Sequence, residues 1–300
     1  MVDGAGFEPA SSARNFIELT DNKIDEIIGK FSEWLEVDEL RKRGTIQHHV
    51  SWIKRLLKEN MKYPLNIEDY RSFLKKWKSK VGVYHYSNLV KAVRVFTRFL
   101  GCEQIGRSFK FPRIDRPIIV VKKKAELRKF YYEGLQRLDD RTFFLLLATS
   151  GLRRHEAAEL RLKDIDLEMG MVIPNSGEIN VRGTKNTFVT FINSEAKSVL
   201  KQLIASLKIR EDDNIFGKGF GKSGITYRWK KASKRSGIRF VPQMLREWFC
   251  NEMGRLGVAD RYIDAVCGRV PRSILARHYT DYSPEQLKQI YDKADLKVLG

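Results

Sequence analysis

Between Thr20 and Leu100 the apolar residues recur at helical spacing in four successive stretches, and this periodicity restricts the fold more than any other feature. The first stretch carries Ile24, Ile27, Ile28, Phe31, Trp34 and Leu35, behind Thr20, whose hydroxyl can cap a helix start. The second carries Ile46, Val50, Ile53, Leu56 and Leu57. Pro64 breaks the chain before a third, with Tyr70, Phe73, Leu74 and Trp77, and a fourth holds Leu89, Val93, Phe96 and Leu100. An amphipathic helix must bury its apolar stripe, so four with short connections predict a small all-α domain. The polar faces are rich in cations, among them Arg71, Lys75, Lys76, Lys78 and Lys80.

Periodicity lapses from Gly101 to Pro117, where Gly106, Pro112 and Pro117 sit among Arg107, Lys110, Arg113 and Arg116. This reads as a basic linker between two domains. The expected organisation is a mobile tail over 1–14, a helical domain over 15–103, the linker over 104–118 and a second domain over 119–300. In the second domain, helices are expected near 125–138 and 140–149. Short β-like runs follow at Met171–Pro174, Ile179–Arg182 and Thr187–Phe191, with turn chemistry at Gly183–Asn186. Helical patterns return over 194–207 and near 223–235, 243–255, 259–267, 271–280 and 284–293. The fold class is therefore mainly α, with one small antiparallel β-sheet in the second domain.

Lys and Arg number 56 against 37 Asp and Glu, a net charge of +19 spread along all 300 residues. Such an excess favours an extended polyanion as partner, nucleic acid first and an anionic membrane surface second. Cys102, Cys250 and Cys267 are odd in number, distant in sequence and without a CxxC pair. That argues against a disulfide framework or a zinc site and for a reducing compartment. No apolar run approaches the roughly 20 residues of a membrane span. Met1–Pro9 has neither a basic n-region nor an apolar h-region, so a cytoplasmic location with no membrane partner is expected.

Four stretches carry chemistry. Thr149–Leu160 is a turn running into a helix, and places Arg153 where a helix start also favours an anion. Lys185 sits on the tight turn between two strands, and Arg246 follows Gln243-Met244-Leu245 at the opening of another helix. Arg269, Arg272 and Arg277 surround the approach to Tyr279. A guanidinium offers a planar donor fork to phosphate oxygens, and Lys185 can donate a proton. A phenol attacks only where cations stabilise its anion and the charge on its target. Two clamps, an acid and a nucleophile suit attack on a phosphodiester. Each residue alone has a plainer reading: Lys185 an exposed turn lysine, Arg153 a helix-start cation, Glu156 half of an ion pair, Tyr262 and Tyr282 packing residues. The joint order Arg, Lys, Arg, Arg, Tyr outweighs them.

On these residues the chain resembles the tyrosine recombinase (phage integrase) family. Ser150-Gly151-Leu152-Arg153-Arg154-His155-Glu156 matches the first arginine motif, Gly183-Thr184-Lys185 the hairpin lysine, and Leu245-Arg246 the second arginine motif. Cys267-Gly268-Arg269 through His278-Tyr279 matches the nucleophile motif. Within the family, Arg269-Val270-Pro271-Arg272-Ser273-Ile274-Leu275-Ala276-Arg277-His278-Tyr279 is most like integrases of archaeal viruses and plasmids. Two positions depart from the usual pattern. Gln243 stands where His or Lys is common, and it can donate a hydrogen bond but cannot be a general base. Arg269 stands where His or Trp is common, and it is a permanent cation.

The resemblance implies a core-binding domain over 15–103 and a catalytic domain over 119–300 that close on double-stranded DNA at attachment sites. It implies Tyr279 as nucleophile, Lys185 as acid, and Arg153, Arg246 and Arg269 as transition-state clamps. Gln243 would assist, and Glu156 would orient Arg153. It implies no cofactor and no metal, and a homotetramer on DNA from a chain that is monomeric or weakly oligomeric when free. The tail after Ser283 is then a candidate for docking on a neighbouring protomer. The expected activity is integration or excision of a viral or plasmid element at a tRNA gene. A Xer-like chromosome or plasmid dimer resolvase, a type IB topoisomerase and a non-catalytic DNA-binding regulator are the rivals. Gly6-Phe7-Glu8-Pro9 can be encoded by the self-complementary GGG TTC GAA CCC, which resembles the T-arm of a tRNA gene, so the codons of about residues 4–10 are expected inside the attachment site, as in certain archaeal viral integrases.

Overall fold

The computed structural model describes residues 17–115, 118–174, 189–269 and 273–300, apart from the side chains of Lys218, Lys222, Ala276 and Arg277. The peptide Gly4–Ala10, the strand expected at Ile179–Arg182 and the turn bearing Lys185 lie outside these residues. Two compact units emerge, Met1–Ile118 and Ile119–Gly300.

The first unit is built from the four periodic stretches: α1 (Asp21–Val37), α2 (Arg43–Asn60), α3 (Ile67–Lys78) and α4 (Val83–Phe99). Thr20 caps α1 by accepting from the Lys23 amide, and Asn66 opens α3 with a capping box closed by Asp69. The stripes meet in one core, where Phe31 packs edge-on to Phe96 at 5.2 Å between ring centres. Each such side chain contributes about 1.5–3 kcal/mol on burial. A two-residue ladder, β1 (Ile17–Glu18) against β2 (Lys62–Tyr63), ties the start of the unit to the α2–α3 connection. The stretch after Leu100 is not irregular throughout, because α5 (Glu103–Ser108) packs tightly on α4. A Cβ on Gly106 would collide with the Thr97 hydroxyl, so glycine is what lets the two backbones approach. This one-turn-and-a-half helix is too short to show a period.

In the second unit the expected helix over 125–138 is interrupted. It begins as α6 (Lys124–Lys129), widens into a π turn at Phe130–Gly134, and stops before α7 (Leu138–Ser150). The π turn buries Phe130 and Tyr131, and Arg235 holds its end by donating to the Gly134 carbonyl at 2.8 Å. Then follow α8 (Arg154–Ala158), β3 (Ile165–Asp166), β4 (Met171–Val172), β5 (Thr190–Phe191) and α9 (Ser194–Leu207). Next come α10 (Lys222–Ser236), α11 (Pro242–Arg255), α12 (Asp260–Val266), α13 (Ile274–His278) and α14 (Pro284–Ala294). The sheet is antiparallel in the order β3-β4-β5, with Ile165 opposite Val172 and Val172 opposite Thr190.

Helix α7 is buried all round from Thr142 to Ser150, with an unbroken apolar run Phe143–Ala148, and forms the axis of this unit's core, flanked by α9 and α11. The segment after Ser283 stays on its own unit rather than extending away from it. Glu195 accepts the amides of Val298, Leu299 and Gly300 at 2.7–2.8 Å, and Asn193 donates to the Leu296 carbonyl at 2.9 Å. Among the described residues no helix is long and apolar enough to cross a membrane.

Candidate active site

The last carbonyls of a helix have no partner within it. At the C-terminal end of α7 three of them in succession are satisfied by side chains from three other elements. Tyr291 of α14 donates to Thr149 at 2.9 Å, Thr190 of β5 to Ser150 at 2.6 Å, and Arg246 of α11 to Gly151. Gly151 takes the left-handed conformation, with φ of 63°. A Cβ there would collide with the Phe249 ring and lie 3.0 Å from the Cys267 sulfur. Glycine is required on both counts, and the turn it makes delivers Arg153 to the start of α8 in a fixed orientation.

Arg153 is held by Glu156, which is buried. The carboxylate accepts from the Arg153 amide at 2.7 Å and from its guanidinium at 2.7 Å, closing a capping box. The far side of the same guanidinium donates to the Gly268 carbonyl at 3.1 Å. Arg246 is only 4% exposed, a burial that an arginine tolerates when its donors are used. It bridges the Gly151 carbonyl and the Cys267 carbonyl, the latter at 2.6 Å. Arg269 lies nearer the surface, donating to Asp264 at 3.3 Å and to the Cys250 sulfur at 3.4 Å. Burial holds the pKa of Arg246 below its ordinary value, and the charges of Arg153 and Arg269 press the same way. Two guanidiniums thus fasten the short stretch Cys267–Arg269, which carries the third, and Glu156 and Asp264 are the carboxylates paired to Arg153 and Arg269.

Gln243 stands one turn before Arg246 on α11 and lines a cavity of about 620 Å³ with Arg154, Lys230, Arg239, Trp229 and Phe240. Tyr279 follows α13 directly, its amide bonded to the Leu275 carbonyl at 3.0 Å, and it is 77% exposed. Among the described residues no hydrogen bond joins its hydroxyl to the guanidiniums. The competing tyrosines are packed: Tyr262 and Tyr282 meet edge-on at 6.2 Å against the core. Lys185 lies outside the described residues.

Some neighbours of the cluster escape a reading by motif. Thr190 and Tyr291 act on backbone carbonyls 40 and 142 residues away, which no spacing rule can reveal. Cys250 and Cys267, distant in sequence, place their sulfurs 3.6 Å apart beside Arg246 and Arg269. Both are free thiols, and among the described residues no group of side chains could hold a metal ion.

A mainly helical unit with a small antiparallel sheet and a guanidinium cluster at the C-terminal end of its central helix is the architecture of tyrosine recombinases, enzymes that cut and rejoin DNA strands. Residues 123–286 match the model of the phage integrase family, and the chain belongs to that family. The tyrosine recombinase XerA of Thermococcus onnurineus (strain NA1) is 27% identical over 288 residues, spanning 91% of this chain and 96% of its own. The fold also matches the Tn1549 transposon integrase in complex with transposon right end DNA, with a TM-score of 0.61 and 15% identity over 90% of this chain and 99% of that one. A lambda integrase dimer bound to a COC′ core site matches with a TM-score of 0.61 and 13% identity, over 86% and 97% of the two chains.

Proposed function

We propose that the protein is a site-specific recombinase of double-stranded DNA, working through a 3′-phosphotyrosine intermediate at Tyr279. The observation that carries this reading is that Arg153 and Arg246 bond to the carbonyls of Gly268 and Cys267, beside Arg269 on the same stretch, which leads toward the tyrosine segment. Their combined positive charge suits a phosphate passing through a five-coordinate state, where charge accumulates on the non-bridging oxygens. The Tyr279 oxygen attacks phosphorus, the bond to the 5′-oxygen breaks, and Lys185 protonates that leaving oxygen. Gln243 adds a neutral donor, and Glu156 fixes the Arg153 fork. Rejoining reverses these steps, because the phosphotyrosine link conserves the bond energy. The unit Met1–Ile118 serves as the core-binding domain, its cationic faces tracking the DNA backbone, and four protomers act on two duplexes.

The biological role we favour is integration or excision of a viral or plasmid element at a tRNA gene, with the codons of Gly4–Ala10 inside the attachment site. The similarity to XerA over 91% of the chain favours a second reading, resolution of chromosome or plasmid dimers. Incubating the protein with duplexes carrying its own 5′ coding segment and a matching tRNA gene, then sequencing the junctions, separates them. Junctions within that segment support integration. Junctions only at an intergenic site elsewhere support the resolvase, and no covalent adduct on any duplex leaves a DNA-binding regulator.

A further inference from the structure

Cys250 and Cys267 lie 17 positions apart in sequence, on α11 and just after α12, yet their sulfurs approach to 3.6 Å. Cys267 is fully buried beneath Gly151, while Cys250 is half-buried and faces Arg269. The two sulfurs share a hydrogen bond, and that bond, against the cost of burial and with help from Arg269 and Arg246, draws the Cys250 pKa down to about 7. The same hydrogen bond and burial push the Cys267 thiol up. One sulfur is therefore a ready nucleophile and the other a protonated partner within reach, the arrangement of an attacking and a resolving thiol. Cys102 belongs to the other unit and serves as an internal control.

We propose that Cys250 and Cys267 are an oxidisable dithiol whose disulfide frees Arg269 from its sulfur acceptor and lowers DNA strand cleavage. The oxidant is a peroxide. The Cys250 thiolate attacks a peroxide oxygen, the O–O bond breaks, and a sulfenic acid and hydroxide form. The anionic acceptor of the Cys267 proton is thereby lost, and the Arg246 guanidinium now favours the Cys267 thiolate. That thiolate attacks the Cys250 sulfur, the S–O bond breaks and hydroxide leaves. With hydrogen peroxide the two thiols give two electrons and two protons, and the products are one disulfide and two waters. The sulfurs must close from 3.6 Å to about 2.05 Å. A dithiol reductant reverses the change.

The cleavage half of this inference rests on the proposed function, but the chemical half does not. The test takes the full chain, reduced without air, with one equivalent of hydrogen peroxide. Peptide mapping without reductant should show a 250–267 cross-link, with Cys102 still alkylated. Oxidation of Cys102 first, or a Cys250 that runs on to sulfinic acid without cross-linking, would overturn the proposal. Covalent adduct formation on DNA should fall at least about tenfold in the cross-linked protein and return with dithiothreitol. The ratio of treated to untreated activity should stay near one in Cys250→Ser and in Cys267→Ser. A cross-link that leaves the adduct yield of the natural protein unchanged would overturn the regulatory step. A reduced protein that forms no adduct at all would instead contradict the proposed function, and the mapping would still decide the dithiol.

Discussion

Arg246 donates to the carbonyl oxygen of Cys267 at 2.6 Å from inside the core, so the residue proposed to grip a phosphate also fastens the backbone that leads to Arg269. The same side chain holds the Gly151 carbonyl, and thus the turn that presents Arg153. A guanidinium has five donors, which lets it serve two carbonyls and still face a ligand; an ammonium lacks that fork.

Arg246→Lys should therefore lose function and some stability together. We expect strand cleavage to drop on the order of 100-fold, with an unfolding free energy lower by about 1–3 kcal/mol for the carbonyl left unpaired. Arg246→Met should cost more stability, since both carbonyls then lack a donor. Single-turnover cleavage and urea unfolding measure the two effects. Near-normal cleavage by Arg246→Lys would remove the clamp assignment.

Gly151→Ala tests the turn itself. The left-handed backbone disfavours a side chain by about 1–2 kcal/mol, and forcing a methyl against Phe249 adds about 1–3 kcal/mol. The variant should unfold at clearly lower urea concentration, and cleavage should fall because Arg153 loses its fixed approach. Wild-type stability would contradict the close packing of Gly151 on Phe249 and Cys267.

His49 gives a pH dependence to the first unit. Burial, and then the positive neighbours Lys91, His48 and Arg41, hold its pKa down to about 4 from an ordinary 6.5. Neither ring nitrogen has a hydrogen-bond partner among the described residues. The unfolded chain takes up a proton near pH 6.5 that the folded chain refuses until about pH 4. Stability is therefore full above the unfolded value and falls as pH drops between the two, by up to about 1.4 kcal/mol per pH unit. His49→Leu should flatten this decline when urea unfolding is compared at about pH 7 and about pH 5. Parallel declines in the two proteins would show that His49 does not supply it.

What the sequence made legible follows from how local each signal is. The four helices of the first unit announce themselves because each repeats its apolar spacing over two turns or more. Arg153 at a helix start and Arg246 at the opening of α11 are legible for the same reason, since a turn-to-helix boundary is written in adjacent residues. The helix α5 is too short to show a period, and the π turn at Phe130–Gly134 interrupts a pattern that reads as one continuous helix. The ties that fix the cluster run between distant segments: Tyr291 to Thr149, Thr190 to Ser150, Cys250 to Cys267. Cysteine counting weighs spacing along the chain, whereas the pair is made by α11 packing on α12. The resemblance to a family orders the motifs, but the geometry that links them is tertiary.

The central claim is that Tyr279 is the nucleophile, and replacing it with Phe tests this most directly, because only the hydroxyl is lost from a ring that is 77% exposed. The measurement is the yield of covalent protein–DNA adduct on a nicked duplex that traps the cut strand, with DNA affinity measured on the same duplex. Tyr279→Phe should bind like the natural protein and give no adduct, while Tyr282→Phe should still give one. An adduct that persists in Tyr279→Phe would contradict the account and move the nucleophile elsewhere.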